Sequence, residues 1–182
     1  ITMNTTGFSC NWDSGQVGFI FVDEAKATEI GWTKQYAETL AKGDDPKYKG
    51  KTREEYDREI SKLLEKYEVN LVLLIGYMKL MSEEFVRKWR NKVINIHPSL
   101  LPAFAGGMDL NVHQAVLDRG CKVSGATLIY IDEGPDTGPI IDQRVVQISS
   151  NETSDTLKTK VQKLEGQMLV DFLKNEKIDF RK

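Results

Sequence analysis

Asn95, His97 and Asp136 are the residues from which chemistry is most readily built. They stand in two stretches, NIHPSLLPAF at 95–104 and DEGPDTGP at 132–139. Asn95 and His97 lie two apart at the end of the strand-like run KVIN, and an extended backbone turns side chains two apart to the same face. Asn95 offers amide donors, and His97 can donate or accept near neutral pH. Together they suit stabilisation of an oxyanion and handling of a proton. Asp136 sits in a tight loop with Gly134, Pro135, Gly138 and Pro139. An acid held there and facing the histidine would favour the imidazolium. Residue types alone leave plainer readings open: a strand-end histidine satisfied within the structure, and an aspartate bonding its own turn.

These residues need elements to position them. QVGFIFV at 16–22 reads as a strand. Thr52 followed by Glu55 has capping-box spacing, and Tyr56, Ile60, Leu63, Leu64 and Tyr67 recur on one face, predicting a helix over 53–67. VNLVLLIG at 69–76 is almost continuously apolar, as a strand covered on both faces should be. Ser82 can cap the short helix EEFVRKWR, after which KVINIH is a strand. NVHQAVLDRG at 111–120 reads as a helix ended by Gly120. SGATLIYID and PIIDQRVVQI are β-rich. Leu157, Val161, Leu164, Met168, Leu169 and Phe172 then form the apolar stripe of a long final helix, with Ser154 or Asp155 as its cap. The order predicts an α/β fold: an open, mostly parallel, doubly wound sheet with helices on both faces. In such sheets ligands bind beyond the carboxyl ends of strands, where NIHPSLLP falls.

Composition narrows the rest. The 182 residues, 40% of them hydrophobic, are enough for one core, and a single domain over 1–182 is expected. A net charge of −2 argues against nucleic acid or an acidic membrane as partner. Cys10 and Cys121 are far apart and lack companions at metal-ligand spacing, so neither a disulfide framework nor a metal site is expected. No apolar run approaches the roughly 20 residues of a membrane span, and a cytoplasmic location is expected.

INIHPSLLPAF, HQAVLDRG and SGATLIYIDEGPDTGPIIDQ, in that order, resemble the folate-dependent formyltransferases, most closely their phosphoribosylglycinamide (GAR) branch. The resemblance is strong from about Val69 to Val146 and extends from Thr52 to about Lys174. It implies a Rossmann-like fold and transfer of a formyl group from 10-formyltetrahydrofolate to the amine of glycinamide ribonucleotide, without a metal, by a monomer or homodimer. It assigns catalysis to Asn95, His97 and Asp136. It places Leu74, Tyr77, Met78, Lys79, Leu80, Val86 and Val93 near the folate, with the loop of Asp132, Glu133, Gly134 and Pro135 beside the pterin. Glu165 and Pro98 would meet the glycinamide substrate.

The stretch 1–51 departs from the family pattern, which opens with a strand, a Ser-Gly-x-Gly-Ser-Asn loop and a helix whose N–H groups hold the substrate phosphate. TGFSCN keeps Gly7 and Asn11 at comparable places, but Ser9 replaces the second glycine. The chain is therefore expected either to represent that unit incompletely or to have rebuilt its phosphate site. Formyltetrahydrofolate hydrolases usually read HHSFLPAF where this chain reads HPSLLPAF, which favours the transferase over the hydrolase. Another folate-dependent formyltransferase and a non-catalytic folate-binding relative are the remaining alternatives.

Overall fold

Thr52 begins the first helix in the manner its spacing predicts. Its Oγ1 accepts the Glu55 N–H at 3.2 Å while the Glu55 carboxylate accepts the Thr52 N–H at 2.9 Å, closing the capping box and satisfying two donors that no helical carbonyl reaches. The computed structural model describes residues 18–20, 51–74, 80–106 and 112–175. The chain divides into two compact units, Ile1–Lys88 and Trp89–Lys182.

In the first unit, β1 (Gly18–Ile20) pairs antiparallel with β2 (Val72–Leu74), and α1 (Arg53–Lys66) packs on α2 (Glu83–Lys88). β2 is buried along its whole length, as its unbroken apolar sequence requires. Leu64, Leu73, Phe85 and Val86 are core residues of this unit. Between the helices, Asp57 is buried and its Oδ2 accepts the Ser82 N–H at 2.5 Å. Burial raises the Asp57 carboxyl above its ordinary value, against the opposing hydrogen bonds from Ser82. Ser82 in turn caps α2 as expected, accepting the Phe85 N–H at 3.3 Å.

The second unit holds β3 (Val93–His97), α3 (Val112–Asp118), β4 (Val123–Tyr130), β5 (Ile140–Gln147) and α4 (Ser154–Asn175). α4 packs on β4, β5 and α3 through Leu157, Val161, Met168 and Phe172. Its cap is Thr153, not Ser154 or Asp155: the Thr153 Oγ1 accepts the Thr156 N–H at 3.2 Å, and the Thr153 carbonyl accepts the Leu157 N–H.

The strand directions in this unit differ from the parallel grammar of the sequence. β3 pairs antiparallel with β4, and β4 antiparallel with β5. The nine-residue loop 131–139 is shorter than a parallel crossover and joins β4 and β5 as antiparallel neighbours. The β4–β5 register runs from Val123 opposite Gln147 to Leu128 opposite Asp142, then jumps to Ile129 opposite Ile140. Ile141 is the extra residue of this bulge, which bends the strand beside the loop that carries Asp136.

Candidate active site

β3 delivers two polar side chains to one face at its carboxyl end. Its alternation leaves Asn95 half-buried and His97 only 4% exposed, while Ile94 and Ile96 fill the opposite face. Among the described residues Asn95 makes no side-chain hydrogen bond.

His97 is held at both ring nitrogens. Nδ1 lies 3.1 Å from Oδ2 of Asp136, and Nε2 lies 3.1 Å from the carbonyl oxygen of Phe104. The same Asp136 oxygen accepts the Gly106 N–H at 3.0 Å. Burial works to raise the Asp136 carboxyl, but the His97 hydrogen bond and charge, with the Gly106 N–H, hold it below its ordinary value. A carboxylate and a carbonyl both only accept, so the ring that satisfies both partners carries a hydrogen on each nitrogen.

The backbone around this pair is unusual. Phe104, Gly106 and Asp136 all have positive φ, at 60°, 68° and 56°. Aspartate enters this region fairly readily, but for phenylalanine it is a genuine exception. The exception puts the Phe104 carbonyl on the histidine, a local strain sustained by the surrounding turn. The Leu101–Pro102 peptide bond of that turn is cis.

The other expected site residues separate into groups. Val93 is buried at the start of β3, and Pro98, just past His97, is half-buried. Asp132 organises its loop by accepting the Gly134 N–H at 3.0 Å and the Thr137 hydroxyl at 2.6 Å. Glu133 pairs with Arg90 at 3.1 Å on the surface, and Pro135 is exposed. In the first unit Leu74 and Val86 are buried and Leu80 is exposed. Tyr77, Met78, Lys79, Gly7 and Asn11 lie outside the described residues.

Glu165 lies on α4, and burial pushes its carboxyl up to about 8. With the folded value above the ordinary 4.5, the native state binds the extra proton, and its contribution to stability falls as pH rises from about 4.5 to about 8. Glu165→Gln is therefore expected to gain stability over the parent at pH 9 and to show no such gain at pH 5. Urea unfolding at the two pH values checks this; an equal difference at both would remove the buried-acid account.

Three groups at the site have no sequence signature of their own: the Phe104 carbonyl, the Gly106 N–H and the Thr127 hydroxyl. Every residue carries a carbonyl and nearly every residue an N–H, so only the turn conformation marks the first two. Thr127 looks like any β-branched strand residue.

The sequence matches the formyl transferase family over residues 6–173. It is 34% identical over 155 residues to the phosphoribosylglycinamide formyltransferase of Bacillus subtilis, covering 85% of this chain and 76% of that protein. It is 40% identical over 114 residues to the trifunctional purine biosynthetic protein adenosine-3 of Gallus gallus, covering 63% of this chain but only 11% of that much longer protein. The crystal structure of phosphoribosylglycinamide formyltransferase from Bacillus halodurans superposes with a TM-score of 0.64 at 36% identity, over 76% of this chain and 71% of that one. The α/β, Rossmann-like class expected from the order of elements is the class of these structures. With the match spanning nearly its whole length, the chain belongs to the formyl transferase family.

Proposed function

We propose that the chain transfers the formyl group of 10-formyltetrahydrofolate to the amine of glycinamide ribonucleotide. The observation that carries this reading is the His97–Asp136 pair at 3.1 Å, with Asn95 on the same strand face as His97, in a chain of this family. Attack of the amine on the formyl carbon breaks the carbonyl π-bond and leaves charge on oxygen. The Asn95 amide and the Nε2–H of His97 supply the hydrogen bonds that stabilise it. Because Nδ1–H is committed to Asp136, Nε2–H is the ring donor left for the substrate. The amine loses a proton, which Asp136 receives or relays through water. Collapse of the intermediate expels tetrahydrofolate, whose nitrogen takes a proton, and leaves the formylated amide.

The folate would lie along Leu74, Tyr77–Leu80, Val86 and Val93, with the loop 132–135 beside the pterin. Pro98 and Glu165 would meet the glycinamide portion, and Gly7 and Asn11 its phosphate. These partners are small molecules, and the chemistry needs no metal. No helix among the described residues is long and apolar enough to cross a membrane. The protein would act in the cytoplasm, as a monomer or homodimer, with residues 1–182 as a single formyltransferase domain.

A formyl-transfer assay with 10-formyltetrahydrofolate, with and without glycinamide ribonucleotide, tests this. Nucleotide-dependent formation of tetrahydrofolate is expected. Equal turnover without the nucleotide would identify a hydrolase, and folate binding with no turnover would identify a non-catalytic relative; either overturns the proposal.

A further inference from the structure

We infer that Thr127 is a positioning residue for His97, acting through the turn 98–104, with Gln143 as its support. The inference rests on the reading of His97 as catalytic and adds residues to which that reading assigns nothing.

The register sets these side chains in one row. His97 is opposite Thr127 across β3–β4, and Thr127 is opposite Gln143 across β4–β5. Directly opposed residues share a face of the sheet, so the row runs from the histidine to the edge strand. Thr127 is fully buried and uses all its hydrogen-bonding capacity. It donates to the Ser99 carbonyl at 2.7 Å and accepts from the Leu101 N–H at 3.0 Å and from Gln143 Nε2 at 3.0 Å. Gln143 Nε2 also donates to the Leu101 carbonyl at 2.9 Å.

The bonds fall on a segment that leads from the histidine back to it. After His97 the chain passes Ser99 and Leu101, both tied to Thr127. It is closed by the Ala103 N–H on the Leu100 carbonyl and by the Ser99 hydroxyl on the Ala103 carbonyl at 2.6 Å, and it arrives at Phe104, whose carbonyl meets Nε2. One buried hydroxyl thus fixes both sides of a turn whose far end orients the ring. Valine has nearly the shape of threonine but would strand the Ser99 carbonyl and the Leu101 N–H in a place where water does not compensate. The turn would shift to satisfy them and carry the Phe104 carbonyl away from Nε2.

The test pairs Thr127→Val with Thr127→Ser. Thr127→Val is expected to lower kcat roughly 100-fold, the cost of an ångström-scale misplacement, with KM nearly unchanged, and Thr127→Ser to restore most of it. In parallel, nitrogen-15 spectra should show an exchange-protected Nε2–H of His97 in the parent and in Thr127→Ser, and its loss in Thr127→Val. The spectra need no turnover, so failure of the assigned activity in the parent leaves this arm able to decide. A Thr127→Val protein with parental kcat and a protected Nε2–H overturns the inference, as does a serine variant as impaired as valine. Should Thr127→Val not fold, Gln143→Ala, at an exposed position of β5, removes two of the bonds. It should lower kcat several-fold and weaken the same signal; parental behaviour in both would overturn the inference.

Discussion

His97→Ala is expected to abolish useful formyl transfer, with kcat/KM falling by about 10²–10⁴-fold, the span that a positioned proton-handling group contributes. The histidine sits between two acceptors, and alanine removes the donor that the proposed mechanism directs at the reacting oxygen while leaving Asp136 without its ring partner. Asp136→Asn is expected to cost nearly as much despite its similar shape. An amide oxygen in the place of Oδ2 can still accept from Gly106 and from the ring, but it carries no negative charge and cannot take up a proton. The depressed carboxyl of Asp136 adds a pH signature. Its folded value lies below its unfolded one, so its stabilising pair is complete above the ordinary carboxylate value of 3.8 and is lost as pH falls through the depressed folded value. Unfolding midpoints measured from pH 6 down to pH 3 should drop more steeply in the parent than in Asp136→Asn. Parental turnover in either variant would remove the pair from the mechanism.

The parts of this site that could be read beforehand are those in which a side chain repeats a local rule. Thr52 and Glu55 form their capping box because the box depends only on residues three apart. Ser82 caps its helix for the same reason. Asn95 and His97 share a face because strand geometry leaves no other choice. Strand direction is set by pairing across the sheet and not by local spacing, so the antiparallel neighbours of the second unit did not follow from the order of elements. The cap of α4 moved one residue, to Thr153, because Ser154 already stands in the helix. The Phe104 carbonyl was invisible because its role depends on a left-handed phenylalanine, a conformation that its sequence neighbours do not advertise. Thr127 was hidden by its suitability for a strand: a residue that satisfies β propensity gives no hint that its hydroxyl carries three bonds.

Gly138→Ala should damage both stability and activity, although it adds one methyl group and touches no substrate. A Cβ at Gly138 would stand 1.8 Å from the carbonyl oxygen of Tyr130 and 2.9 Å from its carbonyl carbon. These are backbone atoms at the end of β4, and they cannot swing aside as a side chain would. Tyr130 is held by its own N–H on the Pro139 carbonyl at 2.9 Å, and the next residue, Ile131, by its N–H on the Val93 carbonyl at 3.0 Å. The strain must therefore be relieved by the loop 131–139. Overpacking of this kind costs about 1–3 kcal/mol, and rigid backbone on one side places this case at the upper end. Asp136 lies two residues before the clash, so the displacement reaches the His97 contact at 3.1 Å directly. A shift of about 1 Å there is enough to lower kcat by about 10²-fold. Urea unfolding and formyl-transfer rates on the same preparation check both halves. Loss of stability with parental kcat would mean that the loop absorbs the methyl group without moving Asp136, and that the aspartate is held by the Gly106 N–H and the histidine rather than by the path of its own backbone.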